Sequence, residues 1–139
     1  MILTAATVLT GEYSHSPGWV EVDHGVISAV GSGVPPRPAD VDLGDVVLTP
    51  GFVDMHVHGG GGGAYFEATD TAVAASVTLH RRFGTTSTIA SLVSDHHDVL
   101  VAQVRALADH VESGELLGLP LEGPGLSPPR CGAHAPRAP

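Results

Sequence analysis

The chain beyond Phe52 alternates between strand-like and helix-like segments, and this order constrains the fold more than any other feature. Three apolar, β-branched runs predict strands, at 52–58, 85–93 and 116–122. Between them, one predicted helix starts near Asp70, its candidate N-cap, and closes at Gly84, while the next is capped by Asp95 and ends before Gly114. The order β-α-β-α-β indicates an α/β fold with a parallel sheet, either an open sheet or the opening third of a (β/α)8 barrel.

The first 49 residues have a different character. Short runs rich in Val, Ile and Thr alternate with turn residues, and Asp23-His24-Gly25 separates two of them as expected for a hairpin. The proline-rich stretch 33–45 predicts a loop. We therefore expect a small module of short antiparallel strands over 1–49, followed by a second domain over 50–139.

Composition excludes several classes of function. A formal net charge of -9 without any lysine argues against a nucleic-acid partner. No segment supplies the ~20 apolar residues that span a membrane, and the N-terminal residues lack a basic signal-peptide region, so we expect a cytoplasmic protein. The single cysteine, Cys131, permits no internal disulfide and cannot belong to a Cys-x-x-Cys motif.

Two histidines at alternate positions mark the candidate site. His56 and His58 lie at the end of the first predicted strand of the second domain, where residues i and i+2 share a face. Glu122 ends the third predicted strand, and the carboxyl ends of parallel strands lie on one face. Two imidazoles and a carboxylate predict a partial site for a divalent metal, and these ligand types suit zinc better than magnesium.

Other features have structural interpretations. The run Gly59–Gly63 lacks the pattern of a phosphate-binding loop, and we expect it to let substrate or metal approach the backbone. His80 is expected to be structural. Three further histidines are expected to be solvated on an acidic helix: His96, His97 and His110.

Four motifs occur in order along the chain: Pro-Gly-Phe-Val-Asp-Met-His-Val-His with its glycine run at 50–62, Gly-Thr-Thr-Ser at 84–87, Leu-Glu-Gly-Pro at 121–124 and Gly-Ala-His at 132–134. Together they resemble the N-acetylglucosamine-6-phosphate deacetylases of the amidohydrolase superfamily. The histidine pair marks only the superfamily, whereas the last two motifs together are more specific. The resemblance extends through nearly the whole chain.

The resemblance implies a carbon–nitrogen hydrolase that uses a divalent metal to remove acetate from an amino-sugar phosphate, its small-molecule partner. It implies the N-terminal part of a (β/α)8 barrel, namely its first three βα units over 50–139, preceded by a small β-sandwich-type module over 1–49. His56, His58 and Glu122 would bind metal, while Ala133 and His134 would contact the sugar. The resemblance is compatible with a homodimer for a full-length protein.

This sequence also departs from the family. Members are far longer, and their later histidine ligands and aspartate general acid/base lie beyond this chain, so no catalytic residue is assigned within it. Pro120 stands where the family has histidine, and Gly125 where it has an aromatic residue. We therefore expect a truncated deacetylase that is inactive alone. Two alternatives are another amidohydrolase, related to dihydroorotase or D-aminoacylase, and a non-catalytic fragment that binds metal weakly.

Overall fold

The computed structural model describes residues 1–134. The chain divides after Pro50 into two compact units. The first unit contains seven short strands: β1 (Ile2–Ala5), β2 (Thr7–Leu9), β3 (Ser14–His15), β4 (Gly18–Asp23), β5 (Val26–Ser32), β6 (Val41–Asp42) and β7 (Val47–Leu48). They form one sheet in the order β5-β4-β1-β6 and another in the order β3-β2-β7.

The predicted hairpin of the first unit is confirmed. Strands β4 and β5 pair antiparallel, and the loop between them consists of His24 and Gly25. Both residues have positive φ angles, 48° and 79°, as a two-residue hairpin turn requires. Glycine at the second position adopts this conformation without steric cost.

The prediction of purely antiparallel strands in this unit is wrong. β6 pairs parallel with β1, and β7 pairs parallel with β2. The cause lies in the stretch predicted as a loop, which contains β6 and brings it beside β1 in the same direction. Asp40 fixes this return, because its carboxylate accepts a hydrogen bond from the Ile2 amide at 2.6 Å and its own amide donates to the Ile2 carbonyl at 2.9 Å.

The second unit is mixed α/β, which confirms the predicted class. Its elements are β8 (Phe52–Val57), β9 (Gly59–Gly60), β10 (Gly63–Ala64), α1 (Asp70–Arg82), β11 (Thr85–Ala90) and α2 (His97–Glu112). β8 and β11 are parallel neighbours. Tyr65, Leu92 and Leu107 are fully buried in its hydrophobic core. Neither α1 nor α2 is long and apolar enough to cross a membrane.

The helix ends differ slightly from the predicted ones. Thr69, rather than Asp70, is the N-cap of α1, and its hydroxyl accepts a hydrogen bond from the Ala72 amide at 3.3 Å. Asp95 lies one residue before the N-cap of α2, where its carboxylate accepts from the His96 amide at 2.7 Å. The α1 start is therefore capped by a hydroxyl side chain, whereas the predicted cap of α2 by Asp95 is wrong, because α2 has no side-chain cap hydrogen bond.

The third predicted strand, 116–122, does not form as a regular strand. Two isolated parallel bridges join this segment to the β11 side, one at Gly118 and one at Leu121. The Ala90 amide donates to the Gly118 carbonyl at 3.0 Å. In a regular parallel ladder the Ala90 carbonyl would accept from the amide of residue 120, but Pro120 has no N–H to donate. Proline therefore interrupts the ladder while the segment keeps its parallel direction.

The glycine run serves packing within the fold. β9 and β10 form a small antiparallel hairpin that lies against α1. A Cβ atom on Gly63 would lie 2.5 Å from the Ala72 carbonyl oxygen, and one on Gly61 would lie 2.7 Å from that of Ala75. The expectation that this run opens the backbone to substrate or metal is thus wrong for these two glycines, because a helix occupies the space.

Candidate metal centre

The end of β8 presents two oriented imidazoles. The rings of His56 and His58 lie 5.0 Å apart, edge to face at 85°. His58 Nδ1 donates to the Ser91 carbonyl oxygen at 2.9 Å, and the Ser91 amide donates to the Val57 carbonyl at 2.9 Å. Ser91 follows β11 directly, so the neighbouring strand holds the His58 ring with Nε2 directed away from the sheet.

Glu122 reaches both histidines from the third segment. Its amide donates to the Leu92 carbonyl at 3.1 Å, which fixes the backbone beside the end of β11. Its Oε1 atom lies 3.0 Å from His56 Nε2 and 3.3 Å from His58 Nε2. One ligand atom from each of the three residues lies within 4.8 Å of the others. The structure therefore brings together all three residues that the sequence proposed as metal ligands.

The donor set suits a divalent transition metal. A neutral His58 donates its Nδ1–H to the Ser91 carbonyl oxygen, so its Nε2 carries no proton. This unprotonated Nε2 faces Glu122 Oε1 at 3.3 Å. Two electron-pair donors at this distance repel each other unless a cation or a shared proton lies between them. Imidazole nitrogen and carboxylate oxygen are ligands that zinc and related ions prefer, and a carbonyl partner on the other ring nitrogen is the usual support.

A cavity of about 590 Å³ surrounds this group. Its lining is His56, His58, Val93, Ser94, Glu122, Ala133 and His134. The two residues proposed to contact substrate, Ala133 and His134, therefore lie in the same cavity as the proposed ligands. His134 Nε2 lies 3.2 Å from Glu122 Oε2, the carboxylate oxygen that does not face the histidine pair.

Two residues of the site, Ser91 and Ser94, were not identified from the sequence. The Ser91 hydroxyl lies 3.4 Å from His56 Nδ1, in addition to the carbonyl contact with His58. The Ser94 hydroxyl lies 2.8 Å from His134 Nδ1. Both follow β11 at its carboxyl end, where functional side chains of parallel α/β folds concentrate. The topology could have indicated this region, although not these hydroxyls.

Two histidines outside this group, His80 and His110, contact other parts of the fold. His80 Nε2 lies 3.1 Å from the Gly59 carbonyl oxygen, in agreement with its expected structural role. His110 contradicts the expectation of a solvated residue, because only 16% of its side chain is exposed. Its Nδ1 lies 2.8 Å from Glu115 and its Nε2 3.1 Å from Asp70. The hydrogen bond that His110 donates to Glu115 raises the pKa of His110 above its usual value, burial opposes this, and the hydrogen bond to Asp70 adds to the rise.

The backbone of the chain is similar to solved structures of amino-sugar-phosphate deacetylases. The N-acetyl-D-glucosamine-6-phosphate deacetylase of Mycobacterium smegmatis, solved in complex with N-acetyl-D-glucosamine-6-phosphate, superimposes with a TM-score of 0.95 at 50% sequence identity. The match covers 99% of this chain and 36% of that one.

Curated sequences give the same result. The N-acetylglucosamine-6-phosphate deacetylase of Bacillus subtilis is 33% identical over 127 residues, which are 84% of this chain and 32% of that protein. The N-acetylgalactosamine-6-phosphate deacetylase of a Shewanella species is 30% identical over 143 residues, 98% of this chain and 36% of that protein. No family model matches the sequence.

The matches extend over nearly all of this chain but only part of each relative. The chain spans about a third of the length of the curated relatives it matches. Within that part, the sequence identity and the shared backbone agree with the four motifs on which the resemblance rested. Over this third of their length, the chain is similar in both sequence and backbone to the N-acetylglucosamine-6-phosphate deacetylases.

Proposed function

We propose that this chain forms part of a metal-dependent deacetylase that removes acetate from N-acetylglucosamine 6-phosphate. The convergence of His56, His58 and Glu122 on one point carries the proposal. The names of the relatives, which include an enzyme solved with that sugar phosphate, support the choice of substrate class.

In this proposal His56, His58 and Glu122 hold a divalent ion, with zinc as the first choice. A bound divalent ion would supply Lewis acidity, which polarises an amide carbonyl and activates water at neutral pH. The chain's own contribution is orientation: Ser91 fixes the direction of His58, and the Leu92 carbonyl fixes the Glu122 backbone. His56 is 65% exposed at its side chain, so a substrate can reach the site from solvent.

Ala133 and His134 are proposed to contact the sugar. Both line the cavity that contains the three ligands. His134 Nε2 contacts Glu122 Oε2, the carboxylate oxygen that does not face the histidine pair. A group bound at His134 would therefore lie next to the three proposed ligands. No residue of this chain is assigned as the general acid or base.

The architecture proposed for the complete enzyme is a (β/α)8 barrel. Its first units would be β8-α1, β11-α2 and the interrupted segment 116–122, over the proposed domain 50–139. The residues 1–49 would form a small β-sandwich-type module. The parallel pairing of β8 with β11 and the parallel bridges beyond it support this order. We propose that the chain is inactive alone, because its three ligands leave the catalytic machinery incomplete.

A chimera tests the function directly. This chain would replace the matching segment of the Mycobacterium smegmatis enzyme, to which it is 50% identical. Acetate release from N-acetylglucosamine 6-phosphate is expected in the presence of zinc, and the variants His56→Ala and Glu122→Gln should abolish it. His97→Ala, an exposed histidine on α2, is the matched control. An inactive but folded and zinc-loaded chimera would refute the proposed function. Turnover by the chain alone would refute the proposal that the isolated chain is inactive.

The substrate alternatives are separated by the same assay. Since the Shewanella relative is named for the galactosamine epimer, N-acetylgalactosamine 6-phosphate should be tested in parallel. Faster turnover of a hydantoin than of either sugar phosphate would favour the other amidohydrolases. Zinc binding with no turnover by any chimera would favour a non-catalytic fragment.

A further inference from the structure

Ser94 connects three parts of the site. It lies just after β11, and its hydroxyl oxygen is 2.8 Å from His134 Nδ1. A Cβ atom on Gly123 would lie only 2.4 Å from the Ser94 Cβ atom, so Ser94 packs closely against the backbone that follows Glu122. This contact holds the Ser94 side chain between the end of the strand and the His134 ring.

The partners of His134 determine which of its nitrogens carries the proton. Nε2 lies 3.2 Å from Glu122 Oε2, and an ionised carboxylate can only accept a hydrogen bond. In a neutral imidazole Nε2 must then be the N–H donor, which leaves Nδ1 as the acceptor. The hydroxyl of Ser94 can donate to Nδ1, whereas the opposite tautomer would direct the lone pairs of Nε2 and Oε2 toward each other.

We propose that Ser94 is a positioning residue for the His134 ring: its hydroxyl donates to Nδ1, while Glu122 Oε2 accepts from Nε2–H. A ligand group that replaces Glu122 Oε2 as the partner of Nε2–H must consequently be a hydrogen-bond acceptor, such as a carbonyl, hydroxyl or phosphate oxygen. Only the identification of that group with an oxygen of the sugar phosphate rests on the proposed function; the tautomer does not.

Long-range proton–nitrogen NMR spectra of the ¹⁵N-labelled full chain test this proposal, since they distinguish the two imidazole tautomers. The metal-free protein is measured at a pH above the imidazole titration range, and His134→Gln identifies the His134 signals. The wild type is expected to show the Nε2–H pattern. Ser94→Ala is expected to keep this pattern, because Glu122 remains, but to move the Nδ1 resonance to that of an acceptor without a hydrogen bond, while Ser94→Thr, which keeps the hydroxyl, retains the wild-type resonance.

Ser91→Ala is the matched control. Its hydroxyl lies near His56, not His134, so this variant should alter the His56 signals and leave those of His134 unchanged. An Nδ1–H pattern for His134 in the wild type would overturn the proposal, even if Ser94→Ala failed to fold. An unchanged Nδ1 resonance in a folded Ser94→Ala variant would also overturn it. Because no turnover is measured, an inactive chimera would count against the deacetylase function without affecting this result.

Discussion

His110 links the end of α2 to the start of α1, and replacing it with alanine should destabilise the protein in a pH-dependent way. A protonated ring donates to Glu115 and Asp70 at once, at 2.8 and 3.1 Å. A neutral ring has one N–H and can donate to only one of them. Protonation therefore adds one charge-assisted hydrogen bond and the attraction of both carboxylates.

The free energy that these two contacts contribute depends on how exposed Glu115 and Asp70 are. Hydrogen bonds to charged groups contribute about 1.5–3 kcal/mol when buried, but the Glu115 side chain is 33% exposed and that of Asp70 is 94% exposed. The Asp70 contact then resembles a surface pair and adds only a few tenths of a kcal/mol, at about the low end of its range. We expect a pH-dependent contribution of about 1 kcal/mol in total, in addition to lost ring packing that does not vary with pH.

The sign of the pH dependence of stability follows from the raised pKa of His110 in the folded state. Such a group contributes fully below its unfolded pKa of about 6.5, and the contribution is lost as pH rises through the folded value. The free energy of unfolding should be measured by urea denaturation at about pH 5.5 and about pH 8.5, on either side of that range. His110→Ala should cost about 1 kcal/mol more at the lower pH.

The control is His97→Ala, which removes an exposed imidazole from the first turn of the same helix. Its effect should be small and similar at both pH values. An equal cost of His110→Ala at the two pH values would refute the ionic link. A cost no larger than that of His97→Ala would refute the structural role altogether.

Two further predictions concern the fold. Gly63→Ala should lower the free energy of unfolding by about 2 kcal/mol or more, because its Cβ would lie 2.5 Å from the Ala72 carbonyl oxygen, whereas Gly118→Ala, with open space around it, should cost little in the same urea titration. In the first unit, the pKa of Asp40 is lowered first by the Ile2 amide and then by Arg37. Arg37→Ala should therefore raise the pKa of Asp40 in an NMR titration without restoring its ordinary value, and an unchanged pKa would show that the ion pair is absent in solution.

Sequence patterns predicted the main helices and strands of the second unit, because each of these elements is determined largely by neighbouring residues. Strand-like and helical periodicity placed β8, β11 and both helices, and the alternation of His56 and His58 placed both rings on one face. Their meeting with Glu122 followed from one topological rule, that parallel strands end on the same side of a sheet. The convergence of these three side chains was therefore predictable without knowledge of their contacts.

The features that the sequence did not predict depend on contacts between residues far apart in the chain. Nothing near His110 in the sequence indicates Asp70, which lies 40 residues earlier and meets it only when the two helices pack. The glycine run has the composition of a flexible loop, yet α1 approaches its backbone closely. The effect of Pro120 on the third segment, the loss of one ladder bond, depends on its register with Ala90, which the sequence does not reveal.

Zinc titration of the purified chain tests the proposed metal centre. One zinc ion should bind per chain, and Glu122→Gln should reduce the affinity at least about tenfold, since even the loss of an outer partner of a metal ligand costs about that much. His96→Ala, an exposed histidine just before α2, should bind as the wild type does. Absence of zinc binding, or equal binding by Glu122→Gln, would contradict the assignment of His56, His58 and Glu122 as a metal centre.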